Sequence, residues 1–365
     1  MRRRIQSPPM GLLGMVALIF LAEAAVARRE LDVAGILAWD WRQAVRATST
    51  RAREADVLVF GDSLAKLGVQ PRVIEAASGR KVHNLAVSGS HAPMQYELLR
   101  RSLEAGARPS AILVDFKMDL LAQDPAVNAR HWPEALGVRG AMGLARAIGD
   151  RSLFGAMLLA RQSPTIRNRL ELREAVVGWV RGAPKDPRPH SLSFLRNWRV
   201  NRGAQLFPKN PAFKDFDFPA GLKPGTWAPR PVHTVYVDRF LKLAADHKIP
   251  VYWLLMPTSP GILAIFEANG DEGRYRAFVA RCQAKYPNVT IFDATRAGYA
   301  AELFSDPVHL DRDGAAAFSE AVAALLARGP MAATGGVVRA PRYRPSGVQV
   351  VLEDYVQSRG ITDVK

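Results

Sequence analysis

Val57-Leu58-Val59-Phe60-Gly61-Asp62-Ser63 decides how the chain is read. Four apolar residues in a row, with no polar alternation, suit a short strand buried on both faces. Gly61 allows a tight exit from that strand. Asp62 and Ser63 then fall at its carboxyl end, where a following helix would offer free N–H groups to a developing oxyanion. Working outward, similar runs occur at 81–87 (KVHNLAV), 111–116 (AILVDF), 250–256 (PVYWLLM) and 289–292 (VTIF). Helix-like stretches fall at 95–105, 237–247, 274–285 and 314–327. Short apolar strands separated by helices predict an α/β fold, a mostly parallel sheet covered on both faces. Ligand sites in such sheets gather just beyond the carboxyl ends of the strands.

The chain has 365 residues, enough for a large α/β domain carrying a long insertion. A composition of 48% hydrophobic and 23% charged residues excludes wholesale disorder. The single cysteine, Cys282, excludes an internal disulfide framework and a cysteine-rich metal site. His83, His131, His190, His233 and His247 show no ligand spacing, so neither a metal nor another cofactor is expected. Lys and Arg number 50 against 34 Asp and Glu, a net charge of +16. Residues 125–233 hold 18 basic against 7 acidic side chains, an excess of 11. This basic insertion is helical in texture over 132–181. From 184 to 231 it carries nine prolines with Trp198, Trp227, Phe207, Phe213, Phe216 and Phe218, which predicts an ordered, irregular layer rather than helix. Its charge is either a solvated face or an electropositive rim for an anionic glycan or lipid surface. Nucleic acid is not expected, because no recognition helix or zinc-finger spacing accompanies the charge.

At the N-terminus, Arg2, Arg3 and Arg4 precede an apolar run from 10 to 27, and Arg28 and Arg29 follow it. Such flanks suit an uncleaved membrane anchor or an export signal cleaved after Ala25-Val26-Ala27, and a buried or interfacial helix of a soluble protein is the third reading. Glu23 is tolerable only near an end of a span. The two leading readings put the rest of the chain outside the cytoplasm. The expected organisation is a membrane anchor or signal segment at 1–29, a helical stalk at 30–55, an α/β domain at 56–328 split by the insertion at 125–233, and an unassigned tail at 329–365. In that tail the run 348–352 (VQVVL) either packs back or trails away.

Near the C-terminus, Asp306-Pro307-Val308-His309 precedes Asp311, Asp313 and an alanine-rich helix. A carboxylate three residues before a histidine can orient the imidazole, leaving its other nitrogen to take the proton of Ser63. Asp311 or Asp313 is a better helix cap than catalyst. Taken together, VLVFGDSLAKLG, NLAVSGS (84–90) and DPVHLDRDG resemble the SGNH/GDSL hydrolase superfamily over about 57–122 and 235–328. The resemblance implies a flavodoxin-like three-layer α/β/α sandwich and acyl-ester chemistry. Ser63 would be the nucleophile, with Asp306 and His309 completing the triad. The N–H groups of Ser63 and Gly89 would hold the oxyanion. Asp62 would fix the loop carrying Ser63, Asn84 would brace the second block, and His91 and Thr258 would line the pocket.

One block departs from the family pattern Gly-x-Asn-Asp, whose Asn completes the oxyanion hole. Here the chain reads Phe116-Lys117-Met118-Asp119. Met118 cannot donate a hydrogen bond, and losing one oxyanion donor typically costs about 3–4 kcal/mol. Lys117, Asn128 or the Thr258-Ser259 pair are the candidate replacements, while Asp119 is expected to be structural. Two functions follow. One is a membrane-tethered, extracytoplasmic esterase or O-acyltransferase acting on an acyl ester, such as an acetylated glycan. The other is an inactive scaffold or binding protein of an envelope polysaccharide system.

Overall fold

The computed structural model describes residues 10–183, 186–209, 226–328 and 336–362. Its centre is one six-stranded sheet: β1 (Val57–Phe60), β2 (Val82–Asn84), β3 (Ala111–Val114), β4 (Val251–Leu255), β5 (Val289–Asp293) and β6 (Val337–Arg339). The strands run in the order β2-β1-β3-β4-β5-β6, and every neighbouring pair is parallel. Val59 lies opposite Asn84 on one side and Leu113 on the other, which aligns the carboxyl ends of the three strands that surround Ser63.

The period of two along each strand divides the core into two layers. Leu58, Phe60, Ile112, Val114 and Trp253 face one layer, built with Trp41, Leu98, Phe240 and Phe278. Val57, Val59, Leu113, Tyr252 and Phe292 face the other, built with Val73, Ile74, Phe318 and Val322. Helices therefore cover both faces, and the apolar runs of the sequence are continuous because neither side of the sheet meets water.

Two regions differ from the sequence expectations, and two others are made definite by the structure. The helix Ile36–Thr48 does occur within the expected stalk, but it is no free stalk: Trp41, Ala44 and Ala47 are packed into the core. Within the proline-rich half of the insertion, Arg188–Val200 is a regular helix. Pro187 and Pro189 sit at its start, where a missing N–H costs nothing, and no proline interrupts it afterwards. The residues after that helix lie along the edge of the sheet, where Asn84 N–H donates to Arg202 O at 3.0 Å and covers an otherwise open strand. Phe213, Phe216 and Phe218 lie outside the described residues. The tail packs back. It adds β6 beside β5, buries Leu352, and ends in the helix Tyr355–Thr362, clasped by an Arg196–Glu353 ion pair at 2.7 Å. The run 348–352 itself forms neither strand nor helix.

At the other end, Met10–Arg28 is a single helix. Its 18-residue segment Gly11–Arg28 has a mean hydropathy of 1.8 and is not buried by the rest of the chain, so it is long and apolar enough to cross a membrane. Its Glu23 accepts hydrogen bonds from Ser163 Oγ (2.5 Å), Thr165 Oγ1 (2.5 Å) and Thr165 N–H (3.0 Å), which tie the insertion to this helix.

Candidate active site

Ser63 opens the helix Ser63–Gly68 directly after β1. Gly61 has φ +150°, and a Cβ there would come within 2.6 Å of Ala65 Cβ, so only glycine permits this exit. Asp62 caps the helix, its Oδ1 accepting from Leu64 N–H at 2.8 Å. Ser63 itself is half-buried, and its N–H has no hydrogen-bond partner among the described residues.

The Asp306–His309 loop comes from the far end of the chain. It is pinned at its base by the Phe304–Leu310 bridge and by Ser259 Oγ–H, which donates to Pro307 O at 2.5 Å. Asp306 Oδ1 accepts from Val308 and His309 N–H, both at 2.9 Å. Its Oδ2 lies 2.6 Å from His309 Nδ1, and His309 Nε2 lies 2.8 Å from Ser63 Oγ. The three residues thus form an unbroken hydrogen-bonded file at the carboxyl end of β1. Burial works against the Asp306 carboxylate, but the bonds from His309 and the two backbone donors outweigh it and hold its pKa below the ordinary value. An ionised Asp306 keeps the proton on Nδ1, leaving Nε2 to accept from the serine hydroxyl. Asp311, by contrast, caps the last core helix by accepting from Gly314 N–H at 2.9 Å.

The second loop, beyond β2, is fixed to the first. Val87 N–H and Ser90 Oγ–H both donate to Gly61 O, at 3.0 and 2.9 Å. Gly89 has φ +65°, a Cβ at that position would meet open space, and its N–H has no partner among the described residues. Asn84 braces this loop: its Nδ2 donates to Ala65 O and Val69 O, and its Oδ1 accepts from Ala86 N–H. Two residues that sequence reasoning missed complete the brace. Buried Lys66 donates to Ala86 O at 2.6 Å and pairs with buried Asp40 at 2.6 Å, whose other oxygen accepts from Ser88 N–H at 2.8 Å. Asp40 lies on the Ile36–Thr48 helix, so the expected stalk is part of the site's scaffold.

His91 does not line the pocket. It is fully buried, stacked on His233 at 5.2 Å, with Nδ1 against Asn128 Nδ2 at 3.1 Å. Burial, with His233 beside it, lowers its pKa to about 3 and keeps it neutral. Asn128 in turn donates to Gly89 O at 3.0 Å, so its amide steadies the loop and is not free to replace the missing oxyanion donor.

Beyond β3, Lys117 lies 3.3 Å from Asp119 and 3.9 Å from Asp62. Burial disfavours its ammonium, but Asp62 and Asp119 more than compensate and raise its pKa. Asp115, a third missed residue, lies beside Asp62, and both are buried. Burial, and then Asp62 itself, push the Asp115 carboxyl well above the usual range. Neither Asp62 Oδ2 nor Asp115 Oδ2 has a donor among the described residues.

Next to the Ser63–His309 pair, a cavity of about 290 Å³ opens at the ends of β3, β4 and β5. Lys117, Met118, Asp119 and Thr258 all line it. Thr258 Oγ1–H donates to Met256 O at 3.3 Å, and Met118 O accepts from Trp227 Nε1–H at 2.7 Å. Among the described residues, no group of three or more His, Cys, Asp or Glu side chains could hold a metal ion. No protein-family model matches the chain, and no curated protein matches it.

Proposed function

We propose that this chain is a serine-dependent ester hydrolase or acyltransferase of SGNH type. The observation that carries the reading is the file Ser63 Oγ–His309 Nε2 and His309 Nδ1–Asp306 Oδ2, at 2.8 and 2.6 Å. His309 takes the hydroxyl proton as Ser63 attacks the ester carbonyl, and Asp306 stabilises the resulting imidazolium. The tetrahedral oxyanion is held by the free N–H groups of Ser63 and Gly89. His309 then returns its proton to the leaving alkoxide. The acyl-enzyme passes to water in hydrolysis, or to a sugar hydroxyl in transfer, with His309 again taking the acceptor's proton. The strand order, with β1 between β2 and β3 and β4, β5 following, supports a flavodoxin-like three-layer arrangement with its site at the β1 switch point.

One observation favours the inactive-scaffold reading. Met118 stands where the third oxyanion donor is expected, and neither Asn128 nor Lys117 is free of other bonds. The two readings separate on a fluorophosphonate serine probe applied to the full chain. Labelling that disappears in Ser63→Ala supports the enzyme. No labelling, with no turnover of short acyl esters, supports the scaffold.

The reading includes a location outside the cytoplasm, anchored through Met10–Arg28 or released after cleavage. Glu23 lies about 8 Å along the helix from its end at Arg28. Its bonds to Ser163 and Thr165 would hold the insertion against the membrane surface. The helix Arg169–Val180 buries none of its residues and exposes Val176, Trp179 and Val180 alongside Arg169 and Arg173. Apolar and basic side chains together suit an anionic lipid surface better than a glycan.

A further inference from the structure

The cavity beside Ser63 has a chemistry that the triad alone does not specify. Leu64 and Val308, the chain neighbours of Ser63 and His309, line it, together with Met118, Met256, Ile262 and Phe266. Several of its polar lining residues are already committed. Arg276 is bonded to Glu272 at 2.7 Å and to Asp293 at 2.6 Å. Tyr275 Oη–H donates to Phe116 O at 2.8 Å, and Lys117 is paired with Asp119. A sugar ring entering this space would lose its hydrogen bonds to water and find few open partners. An apolar chain meets no such penalty. The volume is also far larger than an acetyl methyl group requires, since a methyl is about the size of one water molecule.

We infer that this cavity receives the acyl chain of the ester, and that the preferred acyl group is a medium-length alkanoyl of about six to ten carbons rather than acetyl. The inference rests on the Ser63 reading and narrows it. Acylation of Ser63 leaves the carbonyl carbon between Leu64 and Val308, with the chain running under the helix Pro260–Ala268. Met118 then forms part of the chain's wall, which accounts for an apolar side chain at this position.

The test is the specificity constant of the full-length protein, in detergent below the esters' aggregation limits, for p-nitrophenyl esters from acetyl to dodecanoyl. Each fully buried methylene is worth up to about fourfold. The octanoyl ester should therefore exceed the acetyl ester by at least tenfold, and Leu263→Trp, which narrows the cavity, should cut that ratio at least tenfold. Should that variant fold poorly, the rates at which ethyl- and octylphosphonate esters inactivate the unaltered protein give the same comparison. Values highest for acetyl and falling with length would overturn the inference while leaving the esterase reading standing. Absence of turnover and of phosphonate labelling at every length would instead remove the Ser63 reading, and the inference with it.

Discussion

Replacing Asp306 with asparagine changes one atom in the site and tests the file directly. Oδ1 of the wild-type carboxylate accepts two backbone N–H groups at 2.9 Å, and an asparagine oxygen can keep both bonds. The amide NH₂ then takes the place of Oδ2, 2.6 Å from His309 Nδ1. A donor there forces Nδ1 to accept and moves the ring proton to Nε2, the nitrogen that must be empty to take the proton of Ser63. The wrong tautomer in a triad of this geometry costs about four orders of magnitude in kcat, or about 5 kcal/mol of transition-state stabilisation. Folding should survive, because the loop's backbone bonds remain. The carboxyl's depressed pKa means that its ionised form stabilises the fold above the ordinary Asp pKa and that this contribution is lost as pH falls through the lower folded value. Wild type and Asp306→Asn should therefore show a constant stability gap above about pH 5, narrowing below it. The assay is ester turnover beside a chemical denaturation curve. If Asp306→Asn retained more than a tenth of wild-type turnover while Ser63→Ala had none, Asp306 would not be orienting His309.

Lys66→Met leaves Asp40 buried and uncompensated, and should lower unfolding free energy by about 3–5 kcal/mol. The double variant Asp40→Leu/Lys66→Met should recover much of that loss, and equal midpoints for the single and double variants would refute the coupling. His131 is buried with neither ring nitrogen partnered among the described residues, and burial, then Arg130, hold its pKa at about 3. Its unfolded form takes up a proton below about pH 6.5, so the wild type loses stability as pH falls from there towards 3. His131→Leu should consequently gain about 1.4 kcal/mol on wild type between pH 7.5 and 5.5, and a pH-independent gap would show that the imidazole is hydrated in the fold. Substituting Gln for Arg169 and Arg173 should weaken the salt-sensitive contribution of the insertion to binding anionic vesicles, measured by the depth at which brominated lipids quench Trp179. Unchanged quenching would leave these arginines as solubilising surface.

The sheet was legible where burial is symmetrical. β1, β3 and β4 are apolar along their length, and β5 largely so, because helices cover both faces, so their runs need no period to be recognised. β6 carries no such mark, since Val337–Arg339 is a short edge strand with Val337 exposed. The helix Arg188–Val200 is hidden in a proline-rich composition, because what decides the effect of Pro187 and Pro189 is their position at its first turn and not their number.

In the site, the legible residues were those whose relationship is local. Asp306 and His309 are three apart, and a turn is enough to join them. The braces act across long sequence distances: Asp40 reaches Ser88, Asn128 reaches Gly89, and Asp115 reaches Asp62. Each looks like an ordinary polar residue until the β1, β2 and β3 exits are brought side by side. His91 shows the opposite error, because nearness in sequence to Gly89 suggested a pocket role for a ring that faces inward onto His233. Met118 joins the two lessons. Its lost donor could be seen from the sequence, but its wall could not, because that depends on Met256, Ile262 and Phe266 arriving from beyond β4. On the proposed esterase reading, one side chain at the end of β3 withholds a hydrogen bond from the oxyanion and adds apolar surface to the cavity that would take the acyl chain. A site built this way would recover in kcat/KM, by binding the chain, part of what it gives up in stabilising the charge.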